Sequence, residues 1–417
     1  MISRIKMSTF DRLVTFIIIV GPMFTQYSSI SSVILLPELL IFPLLFYYFM
    51  RCKPLTILNL NTYFRYYCVV LILTLFIYFV DSDLNLSVST FAFIRHIFYT
   101  LIIVSIGYKK FNIDYAAKTL IVIALINSLY GFIQYLAYNL LGLILPWHFS
   151  FLPLKYGRSL VENSNYLFSE FGYRFSGLFS EPAHFSQYVS IALLVILFYK
   201  SDKFKPNNVV KTIVSLIYIL SLLLNGSGTG FAMIVFVIGL YFINSERKNI
   251  KSLFSKGALL SLGILFVVYI TKNEIINGGL DRILSTSDVS SGNIRIFRPF
   301  YVFSTLPVLN RFIGVGYANY SNYVMNSSLA TAYELSNNRA WTNTIGYILV
   351  GSGVVGFLFY ISFILLLYRR TRNFYRYLVL LILLFALFTE VPLSFQFITI
   401  MGFINKGIFT KEISFIN

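Results

Sequence analysis

Unbroken apolar runs dominate this chain and most constrain what it can fold into. Leu71–Val80 and Leu378–Phe388 contain no charged residue and show no alternation. Strands of an outer-membrane barrel alternate apolar and polar positions over about ten residues, so these runs read as helices. Of 417 residues, 57% are apolar and only 12% charged, with a mean hydropathy of +0.76. A single hydrophobic core stops growing at about 250–300 residues, so so much apolar surface needs lipid as its solvent. At about 20 residues per helical span, twelve spans would take up about 240 residues, close to the apolar content. The expectation is an all-α polytopic membrane helix bundle of about 12 transmembrane helices, one integral membrane domain over 1–417.

The expected spans are 12–31, 33–50, 65–80, 91–108, 117–139, 183–199, 209–224, 229–244, 257–271, 343–367, 377–391 and 395–409. Arg4, Lys6 and Arg12 followed by Leu13–Val20 resemble a signal peptide. No small-residue cleavage site follows, and the stretch reads as the first transmembrane helix. With both termini in the cytoplasm, 23 of the 33 Lys and Arg fall on the inner side, and the short outer loops 81–90, 225–228 and 392–394 carry none. That asymmetry is the positive-inside rule. It accounts for most of the net charge of +17 without a nucleic-acid partner. Cys52 at a helix end and Cys68 inside a span give no disulfide framework.

Two outer loops are long, 140–182 and 272–342. Loops beyond about 12–15 residues are usually functional or disordered, and the aromatic content, with Trp147 and Trp341, favours order. The stretch Leu140–Leu152 suits the outer interface, with Trp147 as its anchor. No phosphate-binding loop, HExxH or CxxC occurs, and His96, His148 and His184 are too scattered to suggest a metal. No cytoplasmic loop can hold a nucleotide-binding domain, so any reaction would use an already activated substrate.

The second loop places Arg295 and Arg298 three residues apart, which a helix would put on one face. Guanidinium groups hold phosphate in bidentate geometry and keep their charge. Arg311 and Arg339 follow, also against the positive-inside trend, and Glu274, Asp281, Asp288 and Glu334 are alternative partners for any of them. The first loop carries Arg158 and ends Arg174-Phe-Ser-Gly-Leu-Phe-Ser-Glu181-Pro-Ala-His184 before a span. Glu181 is either a charge favourably placed at a positive helix end or a general base at the mouth of the bundle. Arg95-His96 inside the fourth span is the most unusual intramembrane pair.

This layout resembles the bacterial O-antigen and capsular polysaccharide polymerases (Wzy). Arg298 and Gly314 fit the Arg-x15-Gly pattern of that family's long outer loops, whereas neither Arg158 nor Arg174 has a glycine at that spacing. The related O-antigen ligases carry a histidine followed by Asn, Ser or Gln, then nine residues and Gly-x-x-Gly. Here the frame is Thr342-Asn343, nine residues, then Gly353-Val-Val-Gly356, with threonine in place of the histidine. Ser227-Gly228 stands where the superfamily often has Ser-Arg. Both departures favour the polymerase over the ligase.

The resemblance implies cofactor-free, metal-independent glycosyl transfer at the outer leaflet of the bacterial inner membrane. The donor would be a glycan on undecaprenyl diphosphate, and the acceptor a lipid-linked oligosaccharide repeat unit. Membrane lipid and a chain-length regulator protein would be partners. Arg295 and Arg298 would hold the donor pyrophosphate, and Arg174 and Arg158 the second. Glu181 or His184 would take the acceptor's proton, with Arg311, Arg339 and Asn343 further substrate contacts. The alternatives are an O-antigen ligase, or a flippase for lipid-linked oligosaccharide; the latter would bind at the midplane between internal repeats, and no repeat is visible.

Overall fold

A computed structural model describes residues 9–28, 34–51, 61–80, 85–105, 111–155, 168–169, 172–244, 293–336, 338–388 and 394–416. Apart from the two-residue hairpin β1 (Phe168–Ser169) and β2 (Gly172–Tyr173), its regular structure is helical. Each expected span but 257–271 overlaps a helix; 29–31, 33, 106–108, 389–391 and all of 257–271 lie outside the described residues. Three helices among those described are long and apolar enough to cross a membrane, at Leu86–Ile103, Ile113–Leu141 and Thr344–Arg370.

The chain divides into two compact units. Helices α1 (Thr9–Phe24) and α2 (Leu36–Arg51) each contribute to both. The first unit contains α3 (Asn61–Val80), α4 (Leu86–Ser105) and everything described after residue 293. That later part comprises a π-turn (Asn293–Phe297), α9 (Arg298–Thr305), α10 (Val308–Ile313), α11 (Tyr320–Asn326), α12 (Ala332–Ser336), α13 (Thr344–Arg370), α14 (Asn373–Ala386) and α15 (Phe395–Ile416). Its hub is α13, against which α3, α9, α10 and α14 pack. A helix contacted on so many sides must be apolar nearly all round, and this one has no charge before Arg369.

The second unit holds α5 (Ile113–Leu141), α6 (Pro182–Phe198), α7 (Asn208–Leu224) and α8 (Gly228–Asn244). Here α6 is the central element, buried over most of its length and packed by α7 and α8. The stretch 140–152 is largely an irregular strap. Helix α5 stops at Leu141 because Gly142 takes φ +66° and its N–H turns back to Tyr138 O at 2.9 Å. The strap leaves Leu143, Ile144 and Phe151 exposed.

Candidate functional site

The arginines of the second loop are held by the fold in different ways. Arg298 opens α9 and meets Glu334 of α12 as a fork, with Nε 2.8 Å from Oε1 and Nη2 2.5 Å from Oε2. Its Nη2 also donates to Leu329 O, and Glu334 accepts from the Thr331 backbone N–H at 2.9 Å. The pair is closed off, with side-chain exposures of 11% for Arg298 and 0% for Glu334. Arg295 lies in the π-turn, where i→i+5 bonding opens the spiral. Arg295 reaches Phe388 O at 3.4 Å, while Arg298 is committed to Glu334. The two guanidinium groups thus bond to different parts of the fold. Arg311 folds back onto the last carbonyls of α9, Ser304 O at 2.5 Å and Leu306 O at 2.8 Å. Arg339 lies over the Trp341 ring, 5.8 Å from its centroid.

The two spaced patterns in this half of the sequence end at one junction. Gly314 follows α10 with φ +87° and ψ −170°, and Gly353 interrupts α13 with φ 64° and ψ −171°; both conformations are essentially confined to glycine. The backbones cross in contact there. A Cβ on Gly314 would overlap Gly351 and the Ser352 nitrogen, and one on Gly353 would overlap the Phe312 carbonyl and sit 2.5 Å from Ile313 N. Val315 N–H then bonds to Val350 O at 2.8 Å, an acceptor released by the break in the helix. Asn343, fully buried, caps α13 by accepting the Gly346 N–H at 2.7 Å. The first turn of α9 lies on this cap, since a side chain on Gly346 would strike Pro299. Gly356 leaves room for Ser352 on its own helix and lies close to Val70 of α3, so the Ser352/Gly356 spacing serves helix packing.

Beyond Gly314 the chain dips among α3, α4 and α13 and stays buried at Asn319. Several polar groups on the way find protein partners. Tyr317 N–H donates to Thr74 Oγ1 at 3.1 Å, and Ser89 Oγ donates to Tyr317 O at 2.6 Å. Asn319 bonds Ser89 Oγ at 2.7 Å and accepts the Asn85 N–H at 3.1 Å. The Tyr317 hydroxyl lies 2.7 Å from His96 Nδ1, amid the rings of Tyr67, Phe93 and Tyr347. His96 is thus a docking point for the second loop. Its sequence position marked it as unusual, but only tertiary structure reveals Tyr317, 221 residues away, as its partner.

In the second unit, two buried amides of α5 grip the end of the first loop. Gln134 exchanges both of its amide bonds with Gly177, at 2.9 and 3.0 Å, and Asn127 Oδ1 accepts the Leu178 N–H at 3.1 Å. These polar residues therefore bind a loop backbone. Glu181 takes the N-cap position of α6 with an extended backbone, and its side chain makes no capping bond. Instead its carbonyl accepts from the His184 and Phe185 N–H groups, at 3.1 and 3.2 Å. Glu181, His184 and Arg174 are half-buried. The α7–α8 turn closes on the same helix end, with Asn225 Nδ2 2.6 Å from Ser186 Oγ and 3.2 Å from Pro182 O. Burial, with the Tyr130 phenol nearby, pushes Tyr173 up to about 12, so its phenol stays neutral near pH 7 and cannot serve as the base. Arg158 lies outside the described residues.

No protein-family model matches the chain, and no curated protein matches it closely enough to count as a relative.

Proposed function

We propose that this chain is a multi-pass protein of the bacterial inner membrane, with about twelve spans, that polymerises polysaccharide from lipid-linked repeat units. What supports the reading most is the junction of α10 with α13. The Arg298…Gly314 and Asn343…Gly353 spacings, on which the resemblance rests, end in glycines that touch each other's strands of chain. The shared spacing thus has a physical requirement behind it.

In this reading the acceptor hydroxyl attacks the anomeric carbon of the donor glycan. The bond from that carbon to the phosphate oxygen breaks, and the lipid diphosphate leaves with the electron pair. Negative charge grows on the leaving oxygen, and fixed cations stabilise it most if they are already in place. Arg295 supplies such a cation from the π-turn. Arg298 acts one step back as a positioning residue, since its fork on Glu334 ties α9 to α12. The acceptor's proton passes to a general base. Thr342 stands where a ligase would use histidine, which turns the reading toward chain growth.

The test is to delete the gene in its host and to resolve surface polysaccharide and the lipid-linked pool by size. Single repeats replacing a ladder, with transfer to the final acceptor intact, is the expected result. Full-length polymer stranded on the lipid carrier would mean a ligase instead, and units trapped on the cytoplasmic side a flippase. Complementation with Arg295→Ala should give single repeats only, and with Thr342→His an ordinary ladder.

A further inference from the structure

In the first unit, the pair of short helices α9 and α10 turns an apolar face outward. Phe297, Phe300 and Tyr301 recur at helical spacing and are 53%, 42% and 57% exposed; Val308, Leu309 and Phe312 follow at 70%, 50% and 56%. A patch of that kind on a soluble loop would mark a binding surface. Its position relative to α13 identifies what covers it.

Helix α13 breaks at Gly353, so the part before the break rises about 13 Å and the part after it about 25 Å at 1.5 Å per residue, in a segment apolar enough to cross a membrane. Phe312 packs by its carbonyl on Gly353, nine residues in from Thr344 and hence about 13 Å down from the end of the helix. Helix α10 therefore packs against the interior of this candidate span and not beyond its end. The lipid-facing side of α13 continues below it with Leu358 and Leu365, 58% and 51% exposed.

Non-helical backbone at such depth is tolerated only where protein satisfies its polar groups. Several polar groups along this segment have such partners. Gly314 N–H bonds to Asn310 O at 2.7 Å and Val315 N–H to Val350 O at 2.8 Å. Tyr317 uses Thr74 and Ser89, as described above. The last carbonyls of α9 accept from the Arg311 guanidinium, which places a cation at a negative helix end.

We propose that α9 and α10 form a re-entrant element of the second loop, immersed in the leaflet at the N-terminal end of α13, with lipid acyl chains covering Phe297, Phe300, Tyr301, Val308, Leu309 and Phe312. The inference rests on the membrane reading of α13. It makes the loop part of the bilayer-facing surface, so a lipid-linked substrate can reach Arg295 from within the leaflet without first leaving it.

The test uses the full chain in phosphatidylethanolamine–phosphatidylglycerol vesicles, with Cys52→Ser and Cys68→Ser, and a nitroxide on Leu309→Cys or Phe312→Cys. Both positions are exposed, so the label displaces no core. Leu358→Cys is the span control and Ser328→Cys the aqueous one. Collisions with oxygen should dominate at Leu309 and Phe312 as they do at Leu358, with loss of the collisions with a water-soluble nickel chelate seen at Ser328. Nickel access at 309 and 312 with Leu358 still lipidic would overturn the re-entrant element and leave the spanning helix standing. Shielding of both sites from both reagents would mean a protein covers the face, and would overturn the proposal too. Nickel access at Leu358 would remove the membrane reading itself.

Discussion

Replacing Gly314 by alanine should detach α10 from α13, and the size of the effect follows from two separable terms. The first is backbone strain. At φ +87° and ψ −170° a side chain costs about 1–3 kcal/mol. The second is overlap. The new Cβ would lie closer than 3.0 Å to the Gly351 carbonyl and the Ser352 nitrogen, all backbone atoms that no side-chain rotation can clear. Opening the contact to an ordinary carbon separation means parting two packed segments by about 1 Å, which costs about 1–3 kcal/mol in a filled interior.

Together the loss is about 2–6 kcal/mol, or at least about a thirtyfold change in a local opening equilibrium. Hydrogen exchange at Val315, whose N–H bonds to Val350 O across this junction, reads that opening directly. Gly142→Ala is the control. It shares the positive φ, at +66°, but a Cβ there meets nothing within 4 Å. It should cost only the strain of a left-handed residue, about 1–2 kcal/mol, and leave Val315 unchanged. If Val315 exchanges no faster in Gly314→Ala than in Gly142→Ala, the close approach is not what requires glycine.

Other consequences can be measured on the same preparation. Glu334→Ala or Arg298→Ala each strands a buried charge and should destabilise the first unit by about 3–5 kcal/mol, whereas Arg298→Met with Glu334→Leu should recover most of the loss; thermal melts of the four proteins give the coupling. Asn343→Ala removes the cap of α13 and should cost about 1 kcal/mol, with Asn343→Ser close to the parent. Tyr317→Phe keeps the ring packing but strips the partner from His96, for a loss of about 1–3 kcal/mol, visible as faster exchange across residues 315–319.

The helices were legible because each needs only an uninterrupted apolar stretch, and a bilayer asks for little else. The caps were harder. Arg298 and Glu334 are 36 residues apart with two helices between them, so their spacing carries no periodic signal, and Glu334 was one of four acids that could have served. The reading of Arg295 and Arg298 assumed an α-helix through both, whereas Arg295 lies in a five-residue π-turn and Arg298 opens the next helix. Asn127 and Gln134 stand out as polar residues within α5, yet a partner such as the Gly177 backbone is invisible to any pattern of side chains. Gly314 and Gly353 were visible only as spacings; their mutual contact supplies the physical reason for both.

The polymerase reading meets its most direct test in vesicles. Purified protein is reconstituted with lipid-linked single repeats taken from the deletion strain, without nucleotide sugar and with a metal chelator present. A ladder of lipid-linked oligomers rising by one repeat, absent with Arg295→Ala, is the predicted result. Single repeats that stay single, with the protein folded and its orientation verified, would contradict it.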